Sequence, residues 1–308
     1  MRKKACLLLA VALLTVLVGL FFVRKQKPAD EPALIGYIYL SEDSVFNNFV
    51  KADFQQLAEN NPQIQVDYVN GQKDAQVQNR AIHDFVERGA KAIILNNASA
   101  TEVRSGILEA NRAGIPVITT ERAFGAKSVY VGSSDYEIGW RQGKYMCEHM
   151  PLNGRLVIIY GPLDRDVSQK RLWGFIDACL VRRTDIQLIA SGDGKYLRSE
   201  AAGLMRSWLQ QYPDIDGLAV SSDEMAIGAL QALTEAGRPP VVVSSVDGTP
   251  EAVELIREGW MGHTVQQDPR VKADGIYDCL LQILRGNEHV DDRILPVLDI
   301  TKANADSL

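Results

Sequence analysis

Glycine-rich phosphate loops are missing from this chain of 308 residues. Neither G-x-G-x-x-G nor G-x-x-x-x-G-K-[ST] occurs, and the first post-strand segment, YLSEDSVFNN, has no glycine, which removes the usual nucleotide cradle. Histidine is scarce: His83, His149, His263 and His289 stand apart, without H-x-x-x-H or His–Cys spacing, so no zinc site is expected. No G-x-S-x-G elbow is present. SGDGKY falls short of the acidic acceptors that a calcium loop needs. Cysteines number four (Cys6, Cys147, Cys179, Cys279) with no C-x-x-C, which is not a disulfide framework. Small apolar residues on helices are the simplest reading of the last three, and one bridge among them stays open. No catalytic residue, cofactor or metal is therefore expected.

Positive charge is also short outside the first thirty residues. Six basic residues (Arg2, Lys3, Lys4, Arg24, Lys25, Lys27) precede Pro28 with no acidic counterpart, so removing them takes the net charge from −6 to −12. An acidic body repels phosphate backbones, and nucleic acid is a poor partner. Between those basic flanks lies CLLLAVALLTVLVGLFFV, eighteen residues without a charge. As a helix it spans about 27 Å at ~1.5 Å per residue, close to the ~30 Å of hydrocarbon in a bilayer. Cleavage needs small residues at the end of such a run, and LVGLFFVRKQK has bulky ones. A retained signal-anchor over residues 6–23 is the expectation, with a cleaved signal peptide as the alternative. Either places the body outside the cytoplasm, in the periplasm or on the outer face of the cell membrane.

Beyond the linker the chain alternates apolar runs with amphipathic ones. Strand candidates cover 34–40, 64–69, 91–96, 115–120, 128–133, 155–161, 186–192, 215–221, 240–246 and 261–267. Most are β-branched and apolar on both faces, as parallel strands covered by helices are. Helix-period segments lie between them. In 74–89 the apolar face is Val77, Ile82, Phe85 and Val86, and in 101–114 it is Val103, Ile107 and Leu108. Trp140, Trp173, Trp208 and Trp260 fall within or at the ends of helices and are expected to pack. The alternation predicts an α/β fold with parallel sheets and right-handed crossovers. A strand with no preceding helix, near 128–135, marks the lobe boundary.

Ligands of open α/β sheets bind beyond the carboxyl ends of the strands. The residues there are Ser44 and Phe46, Asn96, Glu121 and Arg122, then Arg171, Tyr196, Ser222, Asp247 and Gln267. Carboxylates, guanidinium groups and amides satisfy hydroxyls that donate and accept at once. Aromatic rings pack against the C–H faces of a pyranose. The set suits a polyhydroxylated ligand.

IPVITTER, R-x-x-G-F at Arg171–Phe175, SSDEMAIGAL and VVVSSVDGTPEA followed by TVQQDP occur in that order. Together they resemble the sugar-binding proteins of the ribose/galactose type, with the type I periplasmic substrate-binding fold, across residues 34–300. The resemblance implies two Rossmann-like lobes with parallel sheets joined by a three-crossing hinge, here preceded by one N-terminal hydrophobic helix. Lobe 1 would comprise 34–135 and 268–297, and lobe 2 would comprise 136–267 and 298–308. It implies stacking aromatics at Phe46 and Tyr196, guanidinium clamps at Arg122 and Arg171, and polar contacts from Asn96, Asp247 and Gln267. Glu121 stands where ribose binders usually have Asp, and Ser222 where they usually have Asn. A monomer that closes on a monosaccharide (an aldopyranose or related polyol) would present it to the membrane permease of an ABC transporter, or alternatively to a sensor kinase or chemoreceptor. Asp223 and Glu224 look like a catalytic pair, yet Ser221 and Glu224 have capping-box spacing, and acidic residues suit a helix start.

Membrane fractionation with N-terminal sequencing tests the anchor. The expected product stays with the membrane and retains residues 6–23, whereas a soluble product starting near Pro28 would show cleavage.

Overall fold

The structure, a computed structural model, describes residues 31–307. The expected signal-anchor lies outside the described residues, and no described helix is long and apolar enough to cross a membrane. The chain begins β1 (Ala33–Tyr39), α1 (Val45–Glu59), β2 (Ile64–Asn70), α2 (Ala75–Glu87), β3 (Ala92–Leu95), α3 (Arg104–Arg112), β4 (Val117–Thr119) and β5 (Val129–Ser133). It continues with α4 (Asp135–His149), β6 (Arg155–Tyr160), α5 (Asp166–Phe175), β7 (Gln187–Asp193), α6 (Arg198–Gln211) and β8 (Gly217–Val220). Then come α7 (Asp223–Glu235), β9 (Val242–Asp247), α8 (Pro250–Glu258), β10 (His263–Gln266) and α9 (Pro269–Leu284). Two short strands, β11 (Arg293–Leu295) and β12 (Leu298–Thr301), follow.

Two six-stranded sheets result. The first, β2-β1-β3-β4-β5-β11, is parallel throughout. The second, β7-β6-β8-β9-β10-β12, is parallel except for β12, which runs against β10. Both faces of each sheet are covered, which is why the strands are apolar on both sides. In β1, Ile35 and Tyr37 pack with Phe54 of α1 and Ile276 of α9, while Ile38 packs with Phe85 of α2 and Ile107 of α3. In β6, Val157 and Ile159 meet Met205 of α6 and Met225 of α7, while Leu156 and Ile158 meet Met146 of α4 and Phe175 of α5. Successive side chains of a strand point to opposite faces, so each strand ties two helical layers together.

The chain passes between the sheets three times: at Ser134 between β5 and α4, at Gln267–Asp268 between β10 and α9, and at Pro296–Val297 between β11 and β12. The first crossing is where the sequence marks its boundary. Strands β11 and β12 are absent from the sequence expectation because three- and four-residue strands at a crossing leave almost no period to read.

Local details correct several readings. The buried face of α2 uses Gln78 rather than Val77, since the Gln78 amide donates to Asn96 O (2.8 Å) and accepts from Ala98 N (2.9 Å), tying down the loop after β3. Of the tryptophans, Trp208 is buried, but Trp173 and Trp260 are exposed and do not pack as expected. The cap of α7 is Ser222, whose hydroxyl accepts from Met225 N (3.4 Å), and not a Ser221–Glu224 box. Glu224 instead pairs with Arg198 (2.9 Å).

Asp223 is more than a helix start. It is fully buried, and its carboxylate accepts from the hydroxyls of Ser245 on β9 and Thr264 (2.8 Å) on β10 and from Thr249 N (2.7 Å) at the cap of α8. Burial pushes its carboxyl up from the ordinary range, and those donors oppose the rise. A folded-state value above the unfolded one contributes stability below the unfolded value, about pH 4, and that contribution fades as pH rises through the folded value. Asp223→Ala leaves three buried donors unpartnered and should lower unfolding free energy by about 3 kcal/mol or more in chemical denaturation. Asp223→Asn should flatten the fall in stability between pH 4 and neutrality.

Candidate functional site

A cavity of about 190 Å³ opens where the carboxyl ends of the two sheets face each other. At ~10–15 Å³ for each water-sized group, it has room for roughly 13–19 of them, and a hexose needs about a dozen. Residues at or just after the carboxyl ends of β1, β2, β3, β4, β5, β6, β7, β9 and β10 line it, whereas none after β8 does. Of the residues expected at the site, Ser44, Phe46, Glu121, Arg171, Tyr196, Asp247 and Gln267 line it.

Three do not. Asn96 is buried behind the wall, where its amide donates to Thr120 and to Asn47 Oδ1 (3.3 Å), and Asn47 in turn holds Ser44 (2.8 Å). It shapes the first loop from behind. Ser222 is spent on capping α7. Arg122 turns away to pair with Asp292 (3.2 Å) and lie over the Tyr130 ring (4.4 Å), with its side chain 38% exposed. The expected arrangement of one guanidinium from each lobe is therefore replaced: Arg165, from the loop after β6, joins Arg171 at the wall.

Arg171 is the anchor of the second sheet's side. Its Nε donates to Asp135 (3.1 Å) and its Nη1 to Ser221 O (2.8 Å). Burial alone would lower its pKa, but Asp135, Tyr196 and Asp247 more than offset this and raise it. Helices α4 and α5 bring the pair together because glycine lets their backbones touch. A Cβ at Gly139 would sit 1.9 Å from Arg171 O, and one at Gly174 2.1 Å from Tyr136 O.

Tyr196 reaches the cavity through two consecutive left-handed residues, Lys195 (φ 52°) and Tyr196 (φ 57°). Bulky residues rarely adopt that region, and such strain clusters at functional sites. The ring packs over Gly161, where a Cβ would lie 2.2 Å from it. Its hydroxyl meets Ser168 (2.8 Å) and the Arg165 guanidinium lies over it (5.3 Å). Phe46 stands on the other side of the cavity with the Lys272 ammonium 5.5 Å from its ring.

Asp247, also at positive φ (120°), accepts from Gln267 Nε2 (3.0 Å). Its carboxyl is raised, chiefly by burial and further by Asp223, against the pull of Arg171. Glu121 and Arg165 pair across the cavity, linking the loop after β4 to the loop after β6. Among the described residues no cluster of His, Cys, Asp and Glu has the makings of a metal site.

A family model described as a periplasmic binding protein domain matches residues 35–288. The chain belongs to the type I periplasmic binding proteins of the ribose/galactose type. A putative rhizopine-binding protein of Rhizobium meliloti is 28% identical over 274 residues, covering 85% of this chain and 88% of the relative. The ribose import binding protein of Escherichia coli is 28% identical over 210 residues, 67% of this chain and 70% of its own. A Bacillus halodurans ABC transporter solute-binding protein, solved with bound myo-inositol, is similar with a TM-score of 0.84 and 28% identity, covering 91% of this chain and 98% of that one. Periplasmic binding proteins bind solutes and do not catalyse reactions, in line with the catalytic motifs that the sequence lacks. Membership also places the body of the chain outside the cytoplasm.

In this periplasmic binding protein, sequence reasoning missed Arg165, Lys272 and Asp135 at the wall. The loop after β6 follows a strand, so position alone could have flagged Arg165. Lys272 lies inside a helix and gave no signal.

Asp135→Ala would strand the Arg171 charge in a buried setting. The expected cost is about 3–5 kcal/mol of unfolding free energy. Denaturant unfolding checks it, against less than about 1 kcal/mol for Arg122→Ala at its exposed pair.

Proposed function

We propose that the protein binds a monosaccharide or related polyol between its lobes and, once closed, presents it to the permease of an ABC importer. The observation that carries this reading is the wall itself. Phe46 and Tyr196 supply aromatic faces, and Glu121, Arg171, Asp247 and Gln267 supply multi-point hydrogen bonding from both sheets into one cavity. A polyol uses both, with C–H faces on rings and hydroxyls on fixed donors and acceptors. Ligands in the names of the relatives, ribose and myo-inositol, are polyhydroxylated rings.

Lobe 1 comprises 34–135 and 268–297 and lobe 2 comprises 136–267 and 298–308 in this proposal, a division supported by which strands join which sheet. Contacts from both lobes exist together only when the lobes close, so ligand shifts an open–closed equilibrium. The chain acts as a monomer, tethered by residues 6–23. The permease is the favoured reader because a relative is named an import binding protein. A sensor kinase or chemoreceptor is the second reading, as the same closed shape would serve it.

A thermal-shift panel of aldoses and polyols tests the binding. Ligand at 100 times its dissociation constant adds about 2.7 kcal/mol, so at least one compound should raise the midpoint by several degrees. Arg171→Ala should abolish that shift and Arg122→Ala should preserve it. A flat panel would sink the polyol reading.

A further inference from the structure

Five cations line the cavity, and four are matched by a carboxylate: Lys73 by Asp43, Arg165 by Glu121, Arg171 by Asp135 and Lys195 by Glu200. Lys272 is not. It is 7% exposed, it lines the cavity from the first turn of α9, and its ammonium forms no ion pair or hydrogen bond among the described residues. Its ammonium lies 5.5 Å from the centre of the Phe46 ring. Burial accordingly depresses the Lys272 pKa, against the pull of Glu121, Asp135 and Asp247. On the same wall, the Nε–H of Arg165 is buried without an acceptor.

Asp247 is the carboxylate that would balance Lys272, but it does not pair with it. Gln267 engages it instead, and burial together with Asp223 disfavours its ionised form. Of the five carboxylates that line the cavity, Asp43, Glu121 and Asp135 hold cations, while neither Asp164 nor Asp247 forms an ion pair with Lys272. A buried, unpartnered ammonium is a costly feature unless a negative group arrives to meet it. Hydroxyls alone give it dipoles and leave the charge uncompensated.

We infer that the ligand is a sugar acid, a polyhydroxylated molecule carrying one carboxylate that seats against Lys272. The inference rests on the polyol reading and narrows it. A phosphate would bring a second negative charge against a single spare cation, so a carboxylate is the better match. Lys272 then sets specificity: it rewards the acid over the neutral sugar of the same stereochemistry.

Calorimetric titration of the full-length protein in mild detergent tests this with matched pairs: glucose with gluconate and glucuronate, galactose with galacturonate, xylose and ribose with their aldonates, and glucose 6-phosphate as the phosphate arm. At least one acid should bind roughly thirtyfold or more tightly than its neutral partner, and Lys272→Met should collapse that ratio to within about threefold. Lys272→Arg should keep most of it. If Lys272→Met does not fold, Lys272→Gln, which keeps a donor without the charge, serves the same purpose. Neutral sugars binding as well as the acids, a ratio unchanged by loss of the Lys272 charge, or binding of the phosphate alone would overturn the inference while leaving a polyol-binding site standing. Binding of no sugar of any kind would instead bring down the polyol reading, and this inference with it.

Discussion

A guanidinium held between two sheets must have its charge answered, and the Arg171–Asp135 contact answers it. Asp135 begins α4 at the first crossing between the sheets, and Arg171 lies on α5, so the pair fixes how those two helices meet. Glycines at 139 and 174 make that meeting close enough. The same guanidinium reaches Ser221 O at the end of β8 and lines the cavity. Remove the pairing and a buried charge is left alone beside the place where the chain turns from one lobe to the other. The geometry of the cavity, the seat of the first crossing and the packing of two helices therefore rest on one ion pair.

Asp223 does similar duty one layer further in. It gathers β9, β10 and the cap of α8 around a single carboxylate, and through its field it helps raise the Asp247 carboxyl above its ordinary range. A residue that resembles half of a catalytic dyad in the sequence is thus a structural junction that tunes a group at the cavity wall.

The fold was legible because its signal is redundant. Ten strand candidates, most of them apolar on both faces and most separated by amphipathic stretches, admit few arrangements other than parallel sheets between helices. Strand-end position was enough to bring Phe46, Glu121, Tyr196, Asp247 and Gln267 to the wall of one cavity. Position failed where a post-strand residue found a local partner first. Ser222 caps a helix, Arg122 pairs with Asp292, and Asn96 supports a loop from behind. Lys272 was illegible for the opposite reason, since a lysine in a helix reads as solvated surface until tertiary packing closes over it. Gln78 hides in the same way.

The late return of the chain has a consequence for how the molecule is made. The first sheet takes its edge strand β11, and the cover of one face through α9, from residues 269–295. Until those residues emerge, Phe54 and Ile94 lack their partners Ile276 and Leu280. The N-terminal portion cannot complete itself as a growing nascent chain. Completion of the first sheet waits until residues 269–295 have been made.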